Sequence, residues 1–325
     1  MLKYSKYKVY ERNEMCLSLS KNDMKVTLSK YLNNAKGAFS FTFDDGCYSD
    51  STRKTVEIFK EVEAKTGIKI KATSAQTVGF LHEGNIPMWK EFFEAGYYDL
   101  ASHSVDHCIG YNNETPEEKR LEDAEKSRDR LTEIYGQTPV CFAIPGGGET
   151  EEACQLLSKH YIANRVGEGP INYIDTINFM RLTGFVGRFA YEDVEPYKNY
   201  IDEVINTEGY GIQINHWITE KESDVHHSQK AHTFYDECFY AAERALKGDI
   251  WIASLNDAVK YLYEYKNAKI STQDDAITVS CDLDKSIFNH PLTIVVSTDT
   301  DKQITVNGAP FDIKAGKENI ITFEL

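Results

Sequence analysis

Strand-like and helix-like patterns alternate along most of this chain. In residues 38–43, small and polar side chains alternate with phenylalanines, which predicts a strand with its aromatic residues on one face. Residues 51–66 carry Val56, Phe59 and Val62 at helical spacing, which predicts a helix. Further strands are predicted at 68–73, 97–101, 139–144, 161–166, 211–217 and 249–253, and helices at 86–95, 115–135, 151–158, 196–206 and 232–246. This alternation predicts an α/β domain with a parallel sheet, open or closed into a barrel.

The pattern changes after Tyr265. Four short β-like segments follow, joined by Asp, Asn and Gly turns, and no helical period remains. These segments are 276–281, 292–297, 303–306 and 319–323. We therefore predict an N-terminal extension at 1–36, a catalytic α/β domain at 37–268 and a small antiparallel β module at 269–325.

Charge and cysteine content narrow the classes of function. The chain has 36 Lys and Arg against 51 Asp and Glu, a net charge of −15, which disfavours nucleic acids and anionic lipid as partners. No uncharged apolar run approaches the roughly 18 residues of a membrane span. The seven cysteines are scattered without a CxxC spacing, which argues against a thiolate zinc site or a disulfide framework.

Polar residues that suit metal chemistry follow three of the predicted strands. They are Asp44-Asp45-Gly46 after the first strand, His103 and His107 after the third, and His216 near the end of 211–217. Each has an ordinary structural alternative, namely a solvated turn, surface histidines or a structural histidine. Together, a carboxylate and two histidines make a catalytic zinc set with positions open for water, while a second carboxylate and a third histidine provide a base and an acid. The pattern therefore indicates metal-dependent hydrolysis.

The order of the motifs resembles the polysaccharide deacetylase (NodB homology) family, also called carbohydrate esterase family 4. The motifs are TFDDG at 42–46, SHSxxH at 102–107, a PxG loop at 145–147 and a strand that ends in His216. The resemblance covers roughly residues 37–265. It implies a distorted (β/α) barrel that holds a divalent metal ion of the Zn²⁺ type. It also implies removal of N- or O-linked acetyl groups from polymers such as chitin, peptidoglycan or xylan.

The resemblance also implies a role for each motif residue. Asp44 matches the family's general base, and His216 matches its general acid. The metal ligands are expected to be Asp45, His103 and His107.

Two further positions are expected to contact the substrate. The loop at 145–148 is predicted to hold the oxyanion through a backbone N–H, at Gly146. Trp217, next to the predicted acid, is expected to stack on an acetyl group or a sugar face.

Three departures from the family pattern concern the groups around the base and the acid. Ala143 stands where the third motif often has an arginine that orients the base, and Gly146 stands where an aromatic residue is usual. Our hypothesis is that Arg165, in the predicted strand 161–166, supplies the missing charge; an ordinary surface ion pair is the alternative. The fourth motif is not recognisable, and Asp175 is the nearest candidate to orient the acid.

These observations predict a metal-dependent hydrolase acting on an acetylated glycan. One alternative keeps the fold and metal but takes a small-molecule amide, and another is an inactive domain that binds glycans. The family's substrates lie outside the membrane, which predicts an extracellular or cell-envelope location. Residues 1–6 lack the apolar core of a secretory signal, so a cytoplasmic location stays open, as does the oligomeric state.

Overall fold

The computed structural model describes residues 24–112, 114–146, 149–221 and 227–325. The strands are β1 (Met24–Leu28), β2 (Gly37–Phe43), β3 (Ala72–Gln76), β4 (Tyr98–Ser102), β5 (Cys141–Ala143), β6 (Ala163–Glu168), β7 (Leu182–Val186), β8 (Tyr210–Asn215), β9 (Ile218–Thr219), β10 (Gln229–Lys230), β11 (Ile250–Ile252), β12 (Lys269–Gln273), β13 (Ala276–Ser280), β14 (Leu292–Thr298), β15 (Lys302–Val306), β16 (Ala309–Ile313) and β17 (Asn319–Phe323). The helices are α1 (Ser49–Thr66), α2 (Ile86–Glu94), α3 (Glu117–Tyr135), α4 (Glu151–Leu157), α5 (Glu195–Asn206), α6 (Ala231–Leu246) and α7 (Leu255–Asn267). These residues form two compact units, one containing Gly37–Val259 and the other containing 24–36 with Lys260–Leu325.

The first unit is a closed barrel of seven parallel strands surrounded by helices. The strand order is β2-β3-β4-β5-β6-β7-β8, and β8 pairs back onto β2 from Ala38↔Tyr210 to Phe43↔Asn215. The short strand β11 pairs in parallel with the first residues of β2. The predicted (β/α) barrel is confirmed. Because all seven strands are parallel, their carboxyl ends meet at one rim, where such folds place their active sites.

The alternation in β2 decides which side chains face the helices. Phe41 packs against Phe59 of α1 and Phe234 of α6, with ring centroids 6.3 and 5.6 Å apart. On the opposite face, the Ser40 hydroxyl lies 2.9 Å from the hydroxyl of Tyr210 on β8. Burying a phenylalanine contributes on the order of 2–3 kcal/mol, so the outward aromatic face secures the strand. The inward face is left for polar residues, and Asp44 is the next residue in that alternation.

The six helices predicted from the pattern are confirmed to within two residues, whereas one predicted strand begins later than expected and other strands were missed. The strand predicted at 68–73 begins later, at Ala72, and all five residues of β3 are buried although three of them are polar. Strand β7 was not predicted. In the second unit, β12 and β16 were missed as well. Small and polar residues inside a closed barrel do not show the apolar runs that identify a buried strand.

The second unit contains two small sheets. One is antiparallel, with the order β1-β14-β17, and the other has the order β12-β13-β15-β16. The module was predicted to be antiparallel, but β13 and β15 pair in parallel at Ala276↔Thr305 and Ile277↔Val306. The predicted domain boundaries at 36/37 and 268/269 stay predictions. None of the helices in the described ranges has the length and apolar composition that a bilayer crossing requires.

A buried carboxyl group lies between the barrel and α6. Glu237 is fully buried, and one of its oxygens accepts hydrogen bonds from the side-chain amides of Gln213 (3.1 Å) and Gln229 (2.8 Å). Burial raises the pKa of Glu237 to about 8, because the two amide donors offset only part of the cost of desolvating the charged form. The carboxyl group is therefore mainly protonated at neutral pH.

Replacing Glu237 with glutamine is expected to remove a pH dependence of folding stability. Because the carboxyl group has a higher pKa in the folded state than in the unfolded state, its protonation stabilises the fold. This stabilisation is complete below the unfolded pKa of 4.5 and is lost as the pH rises to about 8. The wild-type free energy of unfolding should fall by about 1.4 kcal/mol per pH unit over this range on account of this group. Urea titrations at pH 5.5 and 7.5 measure the slope, with the exposed Glu243→Gln on the same helix as control. Equal slopes in Glu237→Gln and wild type would contradict the assignment.

Candidate metal centre and active site

The two carboxylates of the TFDDG motif point in different directions because the chain turns sharply after β2. Asp45 and Gly46 both adopt left-handed backbone conformations, with φ of 72° and 75°. A left-handed aspartate is strained by the order of 1 kcal/mol, and hydrogen bonds around the turn hold it. Thr77 N–H donates to the carbonyl of Asp45 (3.1 Å), and the indole N–H of Trp89 donates to the carbonyl of Gly46 (2.9 Å). The turn separates the two aspartates, so that each faces different partners.

The two histidines of the SHSxxH motif lie in a loop after β4, not on a helix. His103 is 1% exposed, and its Nδ1 lies 2.7 Å from the carbonyl oxygen of Ala143, which assigns the proton to Nδ1 and leaves the Nε2 lone pair free. Ser104 and His107 adopt left-handed conformations, and the Ser104 hydroxyl accepts a hydrogen bond from His107 N–H (2.9 Å). The loop therefore brings both imidazoles to the same point, as a helical i, i+4 pair would.

Asp45, His103 and His107 form a cluster that fits a metal ion. One ligand atom from each lies within 4.8 Å of the others. Oδ1 of Asp45 is 3.7 Å from Nε2 of His103 and 3.8 Å from Nε2 of His107. These distances are too long for hydrogen bonds and near the roughly 3.4 Å between two ligands of one tetrahedral zinc ion.

Charge and hydrogen bonding in the cluster also favour a cation. Nε2 of His103 is buried and has no hydrogen-bond partner among the described residues. Burial raises the pKa of Asp45 to about 6, with the negative charge of Asp44 adding to the effect. Burial lowers the pKa of His103 to about 4, so this imidazole is neutral and available as a ligand at pH 7. A divalent cation would satisfy the orphaned nitrogen and compensate the buried carboxylates.

Arg165 on β6 contacts the carboxylate of Asp44, as hypothesised from the sequence. Both side chains are buried, and a guanidinium nitrogen of Arg165 donates to Oδ1 of Asp44 while another donates to the carbonyl of Val166 (3.1 Å). Burial alone would raise the pKa of Asp44, but the charge of Arg165 outweighs it and holds that pKa well below the usual range. Asp44 is therefore a carboxylate at neutral pH, and the surface ion pair considered as the alternative is wrong.

His216 immediately follows β8 and faces the same centre. Its Nε2 lies 3.9 Å from Oδ2 of Asp45. Burial lowers the pKa of His216 to about 4, despite the opposing charge of Asp44, so the imidazole is neutral at pH 7. Asp175 is exposed in a turn, and no contact among the described residues joins it to His216. It does not take the orienting position considered for it.

Aromatic side chains lie beside two members of the cluster, Asp45 and His107. Trp217 stacks on Tyr48, with ring centroids 5.5 Å apart and planes 10° apart, and both rings are partly exposed. Tyr48 also lies close to Asp45 and lowers the pKa of that carboxyl, against the effect of burial. Phe80 stacks on His107, with centroids 6.5 Å apart. Tyr48 was not predicted as a site residue, although its place four residues after Asp44, at the start of α1, is a usable signal.

The remaining predicted substrate contact is only partly described. Gly146 follows β5 and has a left-handed φ of 72°, which suits a sharp loop at the rim of the barrel. The next two glycines, 147 and 148, lie outside the described residues. An oxyanion contact at Gly146 stays a prediction.

Comparisons with known proteins indicate a family and a fold. Residues 32–164 match the family model described as polysaccharide deacetylase. A protein from Mycobacterium smegmatis, provisionally assigned as a polysaccharide deacetylase, is similar at 14% identity and a TM-score of 0.52, covering 72% of this chain and 93% of its own. The Puue allantoinase is similar at 12% identity and a TM-score of 0.50, covering 72% and 92%. The comparison with curated proteins yields no match. The structural likenesses establish the fold alone.

Proposed function

Since residues 32–164 belong to the polysaccharide deacetylase family, we propose that this protein is a metal-dependent hydrolase that removes acetyl groups from a glycan. The observation that carries the proposal is the convergence of five polar groups at the rim of the barrel. Asp45, His103 and His107 form the ligand cluster, while Asp44 and His216 face it. Burying two adjacent carboxylates costs desolvation free energy, and groups perturbed in this way cluster at functional sites.

A divalent ion of the zinc type would be held by Asp45, His103 and His107. When bound, it supplies a positive charge that polarises the acetyl carbonyl and acidifies water. The protein's own contribution is to fix the ligands. The His103–Ala143 hydrogen bond sets the tautomer of one imidazole, and Tyr48 beside Asp45 favours the charged form of that carboxyl.

Asp44 and His216 divide the proton transfers. Asp44 stays ionised beside Arg165 and accepts the proton of the attacking water. Because the pKa of His216 is about 4, this imidazole is neutral before the reaction. It must therefore receive the proton that Asp44 has taken from water, and it then donates this proton to the leaving amine or alkoxide. A backbone N–H near Gly146 would bind the developing oxyanion.

The substrate proposed is an acetylated oligosaccharide or polysaccharide, N- or O-linked. The stacked pair Tyr48–Trp217 offers a partly exposed aromatic face next to the cluster, and Phe80 offers another. Aromatic faces bind the apolar face of a sugar ring. A net charge of −15 suits a neutral or cationic ligand. By family resemblance we also propose an extracellular or cell-envelope location.

Acetate release from defined substrates tests the proposal. The panel is acetylated chito-, xylo- and peptidoglycan fragments, assayed for released acetate, together with small-molecule amides, including allantoin, assayed for loss of the amide itself, each with and without chelator. Release from a glycan that stops on chelation and returns with Zn²⁺ is expected. Turnover of small amides alone would favour the small-molecule amidase, and metal binding without any turnover would favour a glycan-binding protein.

Arg165→Ala is expected to lower kcat/KM for acetate release by about 10–100-fold. Without the guanidinium, the pKa of Asp44 rises, so the base is protonated over a wider range and the low-pH limb of the kcat/KM profile moves to higher pH. Arg188→Ala, which removes an exposed partner of Glu168, is the matched control. Arg165→Lys keeps the charge and should retain part of the rate. An unchanged profile in a folded Arg165→Ala protein would contradict the role.

A further inference from the structure

One ring nitrogen of His216, the predicted acid, is buried and has no hydrogen-bond partner among the described residues. This nitrogen is Nδ1, whereas Nε2 faces Asp45. When an imidazole donates a proton through one ring nitrogen, a hydrogen bond to its other nitrogen sets the tautomer and the orientation of the ring. Asp175, the acidic residue considered from the sequence, is exposed in a turn. A group other than Asp175 must therefore hold Nδ1 of His216 in this protein.

His227 is the side chain placed to do so. Its ring centroid lies 4.8 Å from that of His216, with the two planes at 56°. The backbone joins the same two residues, because His216 N–H donates to the carbonyl of His227 (2.9 Å). Rings at this separation are within reach of a nitrogen-to-nitrogen hydrogen bond or of one bridging water.

The backbone around this histidine pair is firmly held. Gln229 N–H donates to the carbonyl of Trp217 (2.8 Å), and β9 and β10 pair in parallel at Gln229↔Ile218. The side chain of Gln229 is buried and bound to Glu237 on α6. These contacts hold the residues that follow His216 and His227 in the chain, and they bring the two rings together.

We propose that His227 is a positioning residue that holds Nδ1 of His216 and thereby keeps Nε2 directed at the reaction centre. The inference rests on the proposed function, in which His216 protonates the leaving group. In this protein a neutral imidazole would take the place that a carboxylate occupies beside the histidine of a Ser-His-Asp triad. His227 is not one of the three residues of the ligand cluster, so its effect is expected on the protonation of the leaving group.

Leaving-group dependence tests this role. An amide or alkoxide must be protonated as it departs, whereas 4-nitrophenolate leaves without a proton. His227→Ala is expected to lower kcat for N-acetyl glycan fragments by about 10–100-fold and to leave 4-nitrophenyl acetate hydrolysis within about threefold. His227→Asn, which keeps a hydrogen-bonding side chain, should recover part of the loss. His232→Ala is the matched control, since His232 is exposed and pairs with Glu220. Equal losses on both substrates, or no loss on the glycan, would overturn the proposal.

A second readout does not depend on turnover. In protein labelled with ¹⁵N-histidine, the Nδ1 and Nε2 shifts of His216 report its tautomer, and His216→Gln assigns the signals. Wild type and His232→Ala should show a single tautomer, and His227→Ala a mixture of both. If no substrate releases acetate, the proposed function fails, yet this measurement still decides the role of His227. An unchanged tautomer in His227→Ala would refute it.

Discussion

Asp44→Asn is expected to lower kcat for acetate release by about 10²–10⁴-fold while the protein still binds one divalent ion. Asparagine has nearly the same shape as aspartate but cannot accept the proton of the attacking water. The metal cluster contains Asp45, His103 and His107 and not Asp44, so metal content should remain at the wild-type level. Steady-state kinetics together with metal analysis of the same preparation measure both quantities.

The control for this variant is Asp50→Asn, which removes an exposed carboxylate from the first turn of α1. It carries the same change in net charge and should keep wild-type kcat. If Asp44→Asn loses its metal along with its activity, Asp44 acts as a ligand, and the assignment of Asp45 as the ligand and Asp44 as the base fails. If it keeps both metal and activity, another group is the base.

Removal of the metal is expected to be the other large effect. Chelation should lower the rate by on the order of 10³-fold, because the positive charge of a bound ion is worth several kcal/mol of transition-state stabilisation. Readdition of Zn²⁺ should restore the wild-type rate. His103→Ala should lose both metal and activity, and Zn²⁺ at the same concentration should restore neither, since one of the three ligands is gone.

His82→Ala serves as the control for His103→Ala, because His82 is exposed and its Nδ1 is bound locally to Gly84 N–H. It should bind Zn²⁺ like the wild type. Full activity in the chelated wild type, verified by metal analysis, would mean that hydrolysis proceeds without a metal. That result would leave the deacetylase fold in place and remove the metal from the proposed function.

The local pattern of the chain determined the elements that carry the site. The alternation in 38–43 follows from one face of β2 packing on helices, and helical spacing follows from one buried stripe on each helix. Both are properties of a few neighbouring residues, so they are visible without a structure. The motifs at 42–46 and 102–107 are equally local, which is why Asp44, Asp45, His103 and His107 could be named.

Only the tertiary structure decided which distant residues meet. Arg165 reaches Asp44 across 121 positions of the chain, and the stacking of Tyr48 on Trp217 depends on closure of the barrel through β2 and β8. Strand β7 was missed because Gly184 weakens its strand pattern. The structure requires glycine at this position, because a Cβ there would lie only 2.7 Å from the carbonyl oxygen of Ile212 on the neighbouring strand. Such requirements come from the approach of separate segments, and no single segment of sequence records them.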